Sequence, residues 1–141
     1  MGAFRAAVAE LGVVRRLRTR HPAMSDSFKQ LEGEQLGAVT FVQDYLQLAF
    51  DGPGFSIFMP VTVESGGLTT RSGDTQFRNA LCEQIAKRVR SVVRQEAEAL
   101  IITFHDDSRI SISLRESDYS GPEAFTAHGF GESLIVHRID D

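Results

Sequence analysis

The stretch Leu46-Gln47-Leu48-Ala49-Phe50-Asp51-Gly52-Pro53-Gly54-Phe55-Ser56-Ile57-Phe58-Met59 decides how this chain is read. Apolar side chains fall at every second position on both sides of Asp51-Gly52-Pro53-Gly54: Leu46, Leu48 and Phe50 before it, Phe55, Ile57 and Met59 after it. A period of two places each set on one face of a sheet, and a glycine-proline break between two such runs is hairpin chemistry. Upstream, Val39 and Phe41 carry the same alternation as far as Gln43-Asp44, which adds a strand and a second tight turn. Three short strands joined in this way form an antiparallel meander.

The pattern then returns. Val89 to Val93 read as a strand and Gln95 to Glu98 as its turn. Leu100, Ile102 and Phe104 repeat Leu46, Leu48 and Phe50 at an offset of 54 residues. After His105-Asp106-Asp107-Ser108-Arg109, the residues Ile110, Ile112 and Leu114 repeat Phe55, Ile57 and Met59 at an offset of 55. The expectation is an α+β fold on a duplicated three-stranded antiparallel β-meander, about six to seven strands in all, with repeat units at about 36–60 and 89–115. Between the units, Ser65 to Ser72 is rich in Gly, Ser and Thr and reads as a loop. Asp74 is a candidate N-cap, and Phe77, Leu81 and Ile85 mark a connecting helix over about 75–88. Arg115 to Pro122 reads as a loop and Ser133 to Ile139 as a last strand.

Ahead of the meander, Phe4, Val8, Leu11 and Leu17 recur at helical spacing, with arginines crowded at the C-terminal end where the helix dipole favours cations. Residues 1–23 hold five arginines against one glutamate. Two readings stand side by side: a basic helical arm that docks on the domain or a partner, or a leader preceding a true start at Met24. Residues 24–141 are then a single α+β domain.

Composition narrows the classes. With 42% apolar and 24% charged residues among 141, the chain has an ordinary globular balance. Its net charge is −4, and residues 24–141 are more acidic still, with 10 basic and 18 acidic residues. Such a surface repels phosphate backbones, which argues against nucleic acid and for a basic protein partner. No apolar run approaches the roughly 20 residues of a membrane span. The N-terminal apolar stretch precedes most of the arginines, the reverse of a signal peptide. The single cysteine, Cys82, has no partner for an internal disulfide. A cytoplasmic protein is expected, with neither metal nor cofactor.

Six features invite a chemical reading. His105-Asp106-Asp107 gathers an imidazole and two carboxylates on a hairpin tip, the residue types of a divalent-metal or acid–base site, although neighbours on an extended chain diverge and turns favour polar residues anyway. His128 and His137 lack the spacing that would fix them with His105 around zinc. Cys82 lies mid-helix, away from the cations or helix N-terminus that activate a thiol, and reads as half-buried packing. Gly129-Phe130-Gly131 precedes a strand, whereas a phosphate cradle needs a helix start. Arg88, Arg90 and Arg94 share one face of a regular strand, with no aromatics interleaved for stacking on bases. Tyr119, Glu123 and Phe125 flank Gly121-Pro122, where a tyrosine on a loop suits partner recognition; Tyr119 and Phe125 equally suit plugging the open end of the core.

Leu36-Gly37-Ala38-Val39, the Leu46-x-Leu-x-Phe-Asp-Gly hairpin, Val92-Val93 with Leu100-x-Ile-x-Phe-His-Asp, and Tyr119-x-Gly-Pro-Glu-Ala together resemble a group of small uncharacterised bacterial proteins with a duplicated β-meander. Some of these lie beside polymorphic toxin genes and are regarded as immunity proteins. The resemblance spans about residues 32–127 and departs at Asp107-Ser108, where a glycine would be usual. It implies the fold and a neutralising partner, and carries over no catalytic residue.

Three functions are then weighed. The first is a non-enzymatic protein-binding domain of the immunity or inhibitor kind. The alternative is a small metal-binding protein or hydrolase-like enzyme using His105, Asp106 and Asp107. A third is a module whose basic arm meets membrane or nucleic acid.

Overall fold

The computed structural model describes residues 28–130 and 133–139. The decisive stretch folds as its alternation dictates. Strands β1 (Leu36–Phe41), β2 (Leu46–Phe50) and β3 (Gly54–Ile57) pair in antiparallel order, Leu48 facing Phe55 across the hairpin. Gly52 takes φ +104 in the turn, and the Phe50 amide bonds the Pro53 carbonyl at 2.8 Å. Strands β6 (Val89–Gln95), β7 (Ala99–Phe104) and β8 (Arg109–Ser113) form a second meander, with Asp107 at φ +73 in its second turn.

Three strands beyond those expected, β4 (Val61–Ser65), β5 (Leu68–Arg71) and β9 (Glu123–Phe130), are present, and the last strand expected over Ser133 to Ile139 forms as β10 (Ser133–Arg138). Strands β4 and β5 form a hairpin, and β9 pairs with β10. The Gly66-Gly67 turn has φ +60 and +82, the positive pair that a two-residue hairpin turn requires. Glycine and threonine enrichment there was turn and edge-strand chemistry, not loop.

The α+β expectation is therefore corrected to a mostly β fold of two five-stranded antiparallel sheets, ordered β1-β2-β3-β9-β10 and β5-β4-β8-β7-β6. Neither meander pairs with the hairpin that follows it in the chain. Strand β3 bonds β9, and β8 bonds β4, so each sheet joins a meander from one half of the chain to a hairpin from the other. The expected helix over 75–88 shrinks to α1, Phe77–Cys82. Phe77 and Leu81 are buried as the stripe requires, but Ala86 takes φ +83 and turns the chain out of helix, leaving Ile85 exposed. The N-terminal helical arm falls outside the described residues.

The sheets meet at a corner. Leu36 N donates to Lys87 O at 3.0 Å, Val89 N to Glu34 O at 2.9 Å, Gly33 N to Val89 O at 2.8 Å and Ala86 N to Leu36 O at 2.7 Å. Gly33 and Ala86 both have positive φ there, and a bulge follows on each side, between Leu36 and Ala38 and between Val89 and Ser91. Inward positions fill one core: Leu46, Leu48, Phe55, Ile57, Leu100, Ile102, Phe104, Ile110 and Ile112 are all buried. Phe28 inserts from a short 3-10 turn and contacts Phe55, Phe125 and Phe130 with ring centroids 5.9, 5.9 and 5.3 Å away.

Candidate interaction surface

The hairpin tip between β7 and β8 is a pin. Asp106 Oδ1 accepts from the Ser108 amide at 3.0 Å and from its hydroxyl at 2.6 Å, while Oδ2 lies 2.9 Å from Lys87 Nζ. Lys87 also donates to Gln84 Oε1 at 3.1 Å and Ser108 Oγ at 3.2 Å. The bond from Lys87, then those from the Ser108 hydroxyl and amide, hold the Asp106 carboxyl well below the usual carboxylate range. A carboxylate so stabilised is a weak proton acceptor near neutrality, so the geometry anchors the tip rather than poising it for acid–base work. Asp107 turns away to Arg90 at 2.6 Å, and His105 is exposed.

The other histidines lie elsewhere. His128 sits on the outer face of the first sheet, its ring over Gly54, where an added Cβ would come within 2.7 Å of Cε1. His137 is buried and stacks on Phe125 at 5.2 Å and 11°. Among the described residues no three His, Cys, Asp or Glu side chains gather as metal ligands. Cys82 is exposed rather than half-buried.

The arginines expected on one strand face are separated by the β6 bulge. Arg88 Nη1 donates to Gly33 O at 2.9 Å, Arg90 meets Asp107, and Arg94 falls in phase with the core-facing Val92, its side chain only 4% exposed. Tyr119, Glu123 and Phe125 are not brought onto one surface. Tyr119 packs part-buried against the core, Glu123 pairs with Arg138 at 3.4 Å, and Phe125 is fully buried.

One surface feature escaped the sequence reading. An open groove of about 420 Å³ lies over β1 and β2, lined by Glu34, Gln35, Ala38, Ala49, Asp51 and Arg88 among others. Among the described residues neither Glu34 nor Asp51 has an ion-pair partner within 4.0 Å. Their neighbour β1 ends its sheet. Val42 and Tyr45 exchange both backbone bonds at the β1–β2 turn, so the alternation of an antiparallel ladder turns the amides of Val39 and Phe41 to the free edge. The only sequence signal for this was the acidic excess, because Glu34 and Asp51 are brought together by the β1–β2 register, which pairs Leu36 with Phe50. No helix among the described residues is long and apolar enough to cross a membrane. Comparison with known protein families, characterised proteins and solved structures returned no significant match.

Proposed function

We propose that this chain is a non-enzymatic binding domain that captures a basic protein, in the manner of an immunity or inhibitor protein. The observation that carries the reading is the groove over β1 and β2, where Glu34 and Asp51 have no ion pair among the described residues, beside a strand with one edge unpaired. A partner segment that adds a strand to that edge gains main-chain hydrogen bonds, and a lysine or arginine beside it meets Glu34 and Asp51. The other half of the chain offers a parallel, since Lys87 lies against Asp106 next to the β6 corner. We take the matched corner bonds and bulges, together with the repeated alternation, as traces of an internal duplication. On that reading the first half keeps two carboxylates that Arg88, bonded to Gly33 O, does not pair, and a cation of the partner meets them.

The test is to express the tagged chain in its native host and identify what co-purifies at low and moderate salt. A stoichiometric basic protein released as salt rises supports the proposal, because exposed charge pairs are screened over about 10 Å at 0.1 M ionic strength. A preparation with no partner at low salt contradicts it.

A further inference from the structure

The strand order has a consequence for association between copies. Residues 28–72 supply β1, β2 and β3 to one sheet and β4 and β5 to the other; residues 77–139 supply β6, β7 and β8 to the second and β9 and β10 to the first. Among the described residues, six of the eight ladders lie within a half, and the two that join each meander to its hairpin run between the halves. The β3–β9 and β4–β8 ladders cross, as do the four corner hydrogen bonds. So do the core contacts of Phe55 with Phe125 and Phe130, at 5.7 and 5.6 Å.

One short connector, residues 72–76, joins the halves covalently. It is folded back on itself. Arg71 N donates to Asp74 Oδ2 at 2.8 Å, Asp74 N to Arg71 O at 2.9 Å and Phe77 N to Asp74 O at 3.1 Å, with Gly73 at φ +97. These groups are on the surface, and little of the core depends on them.

We infer that two copies of this chain exchange halves through residues 72–76, giving a dimer of two such two-sheet folds, each built from residues 28–72 of one copy and 77–139 of the other. Every ladder and every core contact is then re-formed, and only the connector changes, from a tight turn to an extended link. The monomer is favoured at low concentration because its second half is tethered at high effective concentration. Mass action reverses that preference as the chain is concentrated, and a short surface connector is the hinge through which the exchange runs. The partner is thus a second copy of this chain, and the inference stands whether or not a basic protein binds β1.

A disulfide placed across the halves reads the exchange. Ser56 and Thr126 face each other across β3 and β9 on the outer surface. A directly opposed hydrogen-bonded pair has Cα atoms about 5.5 Å apart, within disulfide reach. The chain carrying Cys82→Ser, Ser56→Cys and Thr126→Cys is unfolded under reducing conditions, refolded at two concentrations about a hundredfold apart, and oxidised. Exchange predicts a covalent dimer on a non-reducing denaturing gel, its share rising with concentration, while Ser56→Cys alone stays monomeric. Adding Gly73→Val, which the positive φ resists, or the milder Asp74→Ala raises that share; about fivefold or more is expected for the valine. Only internally linked monomer at both concentrations overturns the inference. So does a dimer in solution that runs as monomer on the gel, because that dimer is held by its edges and not by exchange.

Discussion

Gly33 and Ala86 occupy matching places beside the corner, and both have positive φ, +87 and +83. The conformation costs alanine roughly 1 kcal/mol that glycine does not lose. Ala86→Gly is therefore expected to leave stability unchanged or raise it by up to about 1 kcal/mol, and Gly33→Ala to lower it by about 1 kcal/mol, read as opposed shifts in urea midpoint. No atom lies within 4 Å of a Cβ built at Gly33, so that loss is conformational and not steric. Asp106 sets the pH dependence. Its folded carboxyl titrates below the unfolded value, so its contribution is present above the ordinary carboxylate pKa of about 4 and fades as pH falls through the folded one. Asp106→Asn should lower the urea midpoint at neutral pH, with the gap from the parent closing below about pH 4. The Asp106 side chain is half exposed, so the effect is modest.

At the scale of elements, the tightest approach to a glycine is between the end of β9 and the β2–β3 turn. A Cβ at Gly129 would lie 2.6 Å from Gly52 O, a backbone atom that cannot swing aside, and φ there is +82. Gly129→Ala should cost about 2 kcal/mol or more, against about 1 kcal/mol for Gly67→Ala, whose surroundings are open; thermal unfolding of both checks the order. Much of this level was legible in the residues. The two meanders and their buried alternations follow from a period of two, and Phe77 with Leu81 follows from helical spacing. What stayed hidden needed long-range information. Val61 and Val63 alternate, but the Gly-Gly turn after them resembles loop until β8 supplies a partner for β4. The run Ala124-Phe125-Thr126-Ala127 carries small residues that become strand only between β3 and β10. A bulge after Val89 shifted the arginines out of phase, and no single-strand period predicts a bulge. The acidic groove was legible only as net charge.

At the scale of the whole molecule, halves that interlock across both sheets should unfold as one cooperative unit, with β5 and β10 fraying first because they are edge strands without the corner bonds that hold β1 and β6. The same arrangement anchors β1 through β2 and the corner, a rigid edge for the proposed partner. Reversing both groove charges, with Glu34→Lys and Asp51→Lys, should weaken capture of a basic partner about tenfold or more at low salt, with circular dichroism and midpoint little changed. Amide hydrogen exchange on the isolated complex locates the contact most directly. The account predicts slowed exchange at Val39 and Phe41 on the free edge of β1. Unchanged exchange there, with protection instead along Leu68–Arg71 or around Tyr119 and Glu123, would contradict it.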